Sequence, residues 1–497
     1  MNVFHLRDNI VDEYQSFVQS FVSTSTDDVA REVHDHFAQG RLWPQPLVQL
    51  NPRFQPGARI DELADQGVLH EQCRQIFRIG KGKQESPDGL PLQLHKHQEE
   101  AIRRAQSGAN YVLTTGTGSG KSLAYIVPVV DHVLRNGGGN GIQAIVVYPM
   151  NALANSQKEE LEKFLGTEAP AVRFAAYTGQ EDQERRDELL QNPPDILLTN
   201  YVMLELILTR HQERRFRNSS RDLRFIVLDE LHTYRGRQGS DVAMLVRRVR
   251  QAFGAKEVQH VGTSATLAGP GSFEEQQREV SLVASQLFGV SVLPENIVGE
   301  TLRSVTEEPP TESAEYREAL ARVIGANEYP ETLREYLEHP LSSWIEWHIG
   351  LEREAGGTRL RRRGARPISG PGSAAEELSE LTGLNEAVCA AKLRNHLMIG
   401  YDLGESARAG EADPVQIEGE EELPRPFAFR LHQFISRGDK VYATLEEPDR
   451  RHVTVHGQQF VPNDRSRRLF PVVFCRECGQ EYYPVYLVGS TKGGVLE

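Results

Sequence analysis

Between residues 95 and 292, short apolar runs alternate with longer amphipathic stretches, and this rhythm constrains the fold more than any other feature of the 497-residue sequence. Strands that alternate with helices predict crossover units and a parallel sheet covered by helices on both faces, so the expected fold class is α/β. In such sheets functional residues gather at the carboxyl ends of the strands. The predicted strands are Tyr111–Thr114, Ile142–Tyr148, Val172–Tyr177, Asp195–Leu198, Phe225–Leu228 and Val258–Thr263.

The regions on either side of this segment have a different sequence pattern. Apolar residues recur at helical spacing between Val3 and Phe17 before prolines break the pattern, which predicts a helical N-terminal extension over residues 1–90. We expect an α/β domain over 91–295, a helical region over 296–410 and a mixed α+β, strand-rich region over 411–497. Within the helical region, Ala374–Gly400 predicts helices with a turn at Gly383, either a helix-turn-helix or a plain helical hairpin.

The Gly- and Arg-rich segment over residues 356–372 has the composition of a linker or surface loop. Its arginines are expected to lie in a flexible loop: Arg361, Arg362, Arg363 and Arg366.

Composition narrows the class of protein. The 56 basic and 70 acidic side chains give a net charge of −14, which argues against a protein that coats nucleic acid electrostatically. No apolar run reaches the ~18 residues of a membrane helix, and the first residues do not resemble a signal peptide. Four cysteines are too few for a disulfide framework. We therefore expect a cytoplasmic protein without a membrane partner.

A glycine-rich loop follows the first predicted strand and precedes an apolar helical stretch. Consecutive N–H groups in such a loop can turn toward one anion, and the helix N-terminus adds partial positive charge. Lys121 would reach the β and γ phosphates of ATP, and Ser122 would hold Mg²⁺. The cofactor-binding residues predicted here are Thr115, Gly116, Thr117, Gly118, Ser119, Gly120, Lys121 and Ser122. Thr115 stands where the general P-loop pattern has its first glycine, so this sequence matches only the second half of that pattern.

Two carboxylates follow the apolar run Phe225–Leu228 directly. Asp229 is placed to hold Mg²⁺, and Glu230 to orient and deprotonate the attacking water. His232 would lie one turn further on, where it could sense the γ phosphate. At the end of the last predicted strand, small hydroxyl-bearing residues could couple these carboxylates to movement: Ser264, Ala265 and Thr266.

Together these elements resemble the first RecA-like domain of superfamily-two DExH-box helicases, over roughly residues 94–292. Segments 148–157, 195–204 and 229–236 resemble motifs of the YprA/MrfA and Lhr-like type. The resemblance implies an ATP-binding helicase domain in a 3′-to-5′ DNA translocase, with Lys121, Asp229, Glu230 and His232 as catalytic residues. It also implies that Gln98 reads the adenine base.

Loops after successive strands carry amides, hydroxyls and glycine, which suit contacts to a nucleic-acid backbone. In the resembling family these loops line one strand, so the expected partner is DNA, with RNA less favoured. The residues concerned are Pro149, Met150, Asn151, Thr178, Gly179, Thr199 and Asn200.

Residues 293–497 contain no element resembling the arginine-finger motif of a second RecA-like lobe. We expect that lobe to be supplied in cis or in trans, and this chain, interpreted as an N-terminal fragment, to bind ATP but hydrolyse it weakly. Cys475 and Cys478 form a C-x-x-C-G knuckle, either half of a Zn²⁺ site or two buried free thiols. The alternative function is a nucleic-acid- or protein-binding module of a repair or anti-phage defence complex, with ATP as a conformational ligand.

Overall fold

A computed structural model of the chain describes the following residues: 2–20, 24–38, 43–81, 88–116, 118–166, 172–219, 222–265, 271–326, 328–354, 357–408, 427–435, 440–475, 477–485, 487–488 and 495–496. Among the helices in these ranges, none combines the length and apolar character needed to cross a membrane.

A seven-stranded sheet forms the centre of the α/β domain, and every pairing in it is parallel. The strands are β1 (Tyr111–Thr114), β2 (Ala144–Tyr148), β3 (Phe174–Tyr177), β4 (Ile196–Asn200), β5 (Phe225–Leu228), β6 (Gln259–Ser264) and β7 (Ile297–Gly299). Their spatial order is β7-β1-β6-β5-β2-β4-β3. The six predicted strands are confirmed with small shifts at their ends, and β7 was not predicted.

Helices cover both faces of this sheet. They are α1 (Lys96–Gln106), α2 (Leu123–Asn136), α3 (Asn151–Leu165), α4 (Gln183–Gln191), α5 (Tyr201–Thr209), α6 (Arg214–Ser219), α7 (Gly236–Ala252) and α8 (Phe273–Phe288). Side chains alternate across each strand, so Tyr111 and Leu113 pack in one apolar core with α1–α3, while Val112 packs in the other with α5, α7 and α8. The predicted RecA-like fold class, with helices on both faces, is confirmed.

The N-terminal segment begins with the predicted helix and continues into short strands. Its helices are Val3–Ser20, Asp27–Ala38, Ile60–Asp65 and Cys73–Ile76; its strands are Leu47–Asn51, Arg53–Phe54, Pro56–Arg59, Arg78–Ile79, Leu90–Pro91 and Gln93–His95.

The C-terminal region is helical first and strand-rich later. Its helices are Ala314–Gly325, Leu333–Glu338, Pro340–Ile345, the π-helical Glu346–Gly350, Ala374–Thr382 and Glu386–Arg408. Its strands are Leu302–Arg303, Leu351–Arg353, Leu360–Arg362, Arg366–Pro367, Ala428–His432, Val441–Ala443, Val453–Thr454, Phe460–Val461, Asp464–Arg468, Phe470–Phe474, Glu481–Tyr482, Leu487–Val488 and Val495–Leu496.

The two ends of the chain meet in one core. Strand Leu47–Asn51 pairs antiparallel with Ala428–His432, and Phe4 packs with Trp344 and other buried residues of the C-terminal region. The division of the chain at residues 90, 295 and 410 therefore stays a prediction, since this core joins parts of three of the predicted segments.

The arginines predicted to lie in a flexible loop are ordered, so that interpretation is wrong. Leu351–Arg353 and Leu360–Arg362 pair as an antiparallel hairpin, called the arginine hairpin below. Arg361 forms an ion pair with Glu352, and Arg366 with Glu377. The two ion pairs join residues nine and eleven positions apart, and the Gly- and Arg-rich composition reveals neither these pairs nor the hairpin.

Residues 374–400 form two helices joined by a turn in which Gly383 takes a φ of 71°. The second helix buries Cys389, Leu393 and Leu397 in the C-terminal core.

Candidate active site

The glycine-rich loop runs from β1 to the start of α2, which confirms the strand–loop–helix arrangement. Gly118 and Gly120 have φ values of 84° and 67°, conformations that side chains disfavour. Thr115 and Ser119 are buried, and their hydroxyls are 2.5 Å apart. Thr117 lies outside the described residues. The loop is therefore fixed from within by two of its own hydroxyl groups.

The start of α1 also holds the loop in place. Gln98 donates to the carbonyl of Gly120 at 2.9 Å and accepts from the N–H of His95 at 2.8 Å. The imidazole Nε2 of His97 lies 3.1 Å from the carbonyl oxygen of Ser119, and burial lowers the pKa of His97 to about 4. Both ends of the Gln98 amide are used and its side chain is buried. In this conformation Gln98 supports the glycine-rich loop, and its contact with adenine stays a prediction.

Strand β5 delivers its two carboxylates beside the loop. Lys121 Nζ lies 3.1 Å from Glu230 Oε1, with both side chains mostly buried. Glu230 has φ 52° and ψ 57°, a left-handed conformation that is uncommon and costly for a residue other than glycine. An observed outlier of this kind at a cluster of charged groups indicates a functional position.

Strand β6 supports the same carboxylates from the other side. The Thr263 hydroxyl donates to Asp229 and accepts from the N–H of Glu230 at 3.2 Å. His232 Nδ1 lies 3.3 Å from Glu230 Oε2 and 3.2 Å from Ser264 Oγ. The predicted coupling residue Ser264 is thus joined to Glu230 through His232. Ala265 follows it, and Thr266 lies outside the described residues.

Sequence reasoning missed Thr263, which stands one residue before the small hydroxyl-bearing segment. Its position at the end of a buried strand, directly beside the strand that carries the carboxylates, was the available signal.

The oxygen donors present fit a magnesium ion. Ser122 offers a hydroxyl and Asp229 a carboxylate, the ligand types that Mg²⁺ takes in nucleotide sites. Burial raises the pKa of Asp229 to about 6, and a cation beside it would offset this cost of holding charge away from water.

The three predicted nucleic-acid loops lie side by side at the carboxyl ends of β2, β4 and β3. Asn200 donates to Asn151 Oδ1 at 2.6 Å and to the carbonyl of Thr178 at 3.1 Å. Thr199 donates to the carbonyl of Tyr177 at 2.7 Å and is fully buried. Thr199 and Asn200 therefore hold the loops after β2, β3 and β4 together by hydrogen bonds at the ends of their strands.

On the outer side of these loops, Met150 is 59% exposed and Gly179 is exposed, while Pro149 and Asn151 are half-buried. The N–H groups of Thr178 and Gly179 already donate to the Glu181 carboxylate, at 2.8 to 3.0 Å. The Glu181 carboxylate thus accepts hydrogen bonds from two N–H groups that were predicted to bind the phosphate backbone of a nucleic acid.

At the far end of the chain, Cys475 is half-buried and Cys478 exposed, so the interpretation as two buried thiols is wrong. Hydrogen bonds from the N–H groups of Cys478 and Glu477 lower the pKa of the Cys475 thiol, a feature that favours a thiolate. Within the described part of the chain, no three His, Cys, Asp or Glu side chains are grouped to hold a metal ion.

The chain is similar in sequence to several known helicases. Residues 95–272 match the family described as DEAD/DEAH box helicase. The uncharacterized ATP-dependent helicase YprA of Bacillus subtilis is 32% identical over 37% of this chain and 24% of its own length. Druantia protein DruE of Escherichia coli is 25% identical over 50% of this chain and 19% of its own. The crystal structure of the helicase MrfA bound to DNA aligns with a TM-score of 0.38 and 24% identity, over 55% of this chain and 33% of that one. The matches thus cover about a quarter or less of these two curated relatives.

Proposed function

We propose that residues 95–272, which match the DEAD/DEAH box helicase family, form a superfamily-two helicase domain of the type found in YprA and Lhr helicases, and that this domain binds ATP and couples its hydrolysis to movement along DNA. The observation that carries the proposal is the meeting of Lys121, Glu230 and His232 beside the glycine-rich loop. These groups lie at the carboxyl ends of β1 and β5, where phosphoryl-transfer sites of parallel sheets lie.

We propose that the Lys121–Glu230 ion pair exchanges partners when ATP binds. The γ phosphate carries more charge than one carboxylate, so the Lys121 ammonium would turn to it. Glu230 would then be released to accept a proton from water, a general-base role. Ser122 and Asp229 would hold Mg²⁺, which supplies positive charge to the phosphates.

Coupling to movement is proposed to run through His232. Its imidazole touches both Glu230 and Ser264, so a change at the γ phosphate would reach the end of β6 through one side chain. The segment beyond Ala265 would pass that change to a neighbouring domain.

DNA is proposed to lie across the loops after β2, β3 and β4. Met150, Asn151 and Gly179 would face the strand, with Thr199 and Asn200 fixing the loops from beneath. The choice of DNA over RNA rests on the resemblance of residues 148–157 and 195–204 to motifs of this helicase type.

Two further partners are proposed. A second RecA-like domain, in this protein or another, would close over the nucleotide and add arginine fingers. Cys475 and Cys478 would supply half of a Zn²⁺ site, whose remaining two ligands lie elsewhere.

The test is ATP hydrolysis by the full chain with single-stranded DNA, single-stranded RNA or neither. We expect a slow rate that DNA raises more than RNA, and that Glu230→Gln abolishes while ATP still binds. Glu257→Gln is the matched control, since that carboxylate is 86% exposed and distant from the loop. Hydrolysis that survives in Glu230→Gln contradicts the assigned site. Hydrolysis at ordinary helicase rates contradicts the need for a second lobe.

A further inference from the structure

Arginines from two strands outside the central sheet lie near the glycine-rich loop. Arg362 belongs to the arginine hairpin, and a Cβ placed on Gly116 would lie 3.5 Å from its Cζ atom. Arg430 reaches the loop from another strand, and a Cβ placed on Gly118 would lie 3.0 Å from its Nη2 atom. Both guanidinium groups therefore lie next to a loop whose N–H groups are arranged to bind an anion.

Arg362 is held in a fixed position. Its side chain is 12% exposed, its Nη2 atom lies 3.4 Å from Glu300 Oε2, and its Nη1 atom donates to Asn51. Its Cζ atom lies 6.0 Å from the ring centre of Phe54. A guanidinium that is desolvated and bound on several sides loses little freedom when it meets a ligand.

Arg430 is positioned by sheet register. Its strand, Ala428–His432, pairs with Leu47–Asn51 over five consecutive residues, and Arg430 lies opposite Gln49. Gly118 has a φ of 84° and no side chain, so the guanidinium can approach the backbone of the loop closely.

A carboxylate already occupies part of this arrangement. Glu300, directly after β7, accepts from the N–H of Gly116 at 3.3 Å with the same Oε2 atom that faces Arg362. One anionic oxygen is thus held between a loop N–H and a guanidinium, as a phosphate oxygen would be.

Beside these groups lies a cavity of about 510 Å³, within the range of small-molecule sites. Its lining includes Thr115, Gly116, Phe273, Glu300, Arg359 and Arg362.

We propose that Arg362 and Arg430 bind the phosphate groups of the nucleotide. These two arginines, from the part of the chain that follows the central sheet, would add two positive charges to that of Lys121. Glu300 holds Arg362 in place until a phosphate displaces it. The inference rests on the proposed function, since it assigns further residues to the same nucleotide site.

The experiment measures ATP binding to the full chain with Mg²⁺ by titration calorimetry, with circular dichroism to check the fold of each variant. We expect Arg430→Ala and Arg362→Ala each to weaken ATP binding about tenfold or more, the size of one charge-assisted contact. Arg430→Lys and Arg362→Lys should recover part of the loss. Arg353→Ala is the matched control, because this arginine of the same hairpin pairs with Glu308 and should leave affinity within about twofold.

Glu300→Gln separates phosphate binding from a purely structural role. If Glu300 competes with phosphate, removing its charge should tighten ATP binding roughly two- to fivefold, as expected for a partly exposed ion pair. If the arginines only hold the fold, Glu300→Gln leaves affinity unchanged or weakens it.

The inference is overturned if the double variant Arg362→Ala with Arg430→Ala binds ATP within twofold of the parent chain, or if Glu300→Gln fails to tighten binding. Failure of the proposed function looks different: the parent chain does not bind ATP, or Lys121→Ala binds it equally well.

Discussion

Replacing Gly262 with alanine would disturb the site without touching the nucleotide. Gly262 lies in the middle of β6, and a Cβ there would overlap Cδ1 of Leu231 and lie 3.2 Å from Cγ2 of Val112. Overpacking of this kind costs about 1–3 kcal/mol. Leu231 stands between Glu230 and His232, so the methyl group would displace both, and a shift of about 1 Å can cost on the order of 100-fold in rate.

The assay combines phosphate release with native-state hydrogen exchange of the β5 and β6 amides. Leu231→Ala alone should cost about 2–5 kcal/mol, since that side chain is fully buried. In the double variant Gly262→Ala with Leu231→Ala, the new methyl group occupies space that the Leu231 side chain vacated. The cost in stability of the double variant should therefore fall short of the sum of the two single costs by about 1 kcal/mol or more. Additive costs in the double variant would refute the close contact between Gly262 and Leu231.

Three other outcomes follow from the contacts at the site. Glu230→Gln should slow phosphate release about 100-fold or more while calorimetry shows ATP still binding, and an unchanged rate would contradict the general-base role. Gln98→Ala should weaken ATP and GTP binding alike, because Gln98 supports the loop; a loss confined to ATP would indicate a base contact instead. Burial lowers the pKa of His97 and His260 to about 4, so the unfolded chain takes up their protons first as pH falls below about 6.5. Burial lowers the pKa of His396 as well, and this acts in the same direction, whereas Asp229, whose pKa is raised to about 6, opposes it. Urea unfolding should show a net loss of about 2 kcal/mol or more between pH 7 and pH 5, and equal stability would contradict this.

The central sheet was predictable because fully buried parallel strands require continuous apolar runs, and six such runs stand in the sequence. Strand β7 was missed because Ile297–Gly299 offers only three residues and ends in glycine. The residues after β1, β5 and β6 were predictable for a related reason, since parallel strands bring their carboxyl ends to one edge.

The contacts around the loop were not predictable, because they join distant parts of the chain. Arg430 and Gly118 are brought together by pairing between the first and last thirds of the sequence, which no local pattern encodes. The hydrogen bonds of Glu181 are local by contrast, but like those of Gln98 they depend on loop conformations that the residue types alone do not determine. Sequence patterns therefore located the site, and long-range packing decided which neighbours surround it.

The most direct test of ATP binding at the glycine-rich loop is calorimetric titration of the full chain with ATP and Mg²⁺, for the parent and for Lys121→Ala. We expect saturable binding by the parent and a loss of affinity of about tenfold or more in the variant, because the variant lacks the ammonium group proposed to reach the phosphates. Equal affinity in the two proteins, or no binding by the parent, would contradict it.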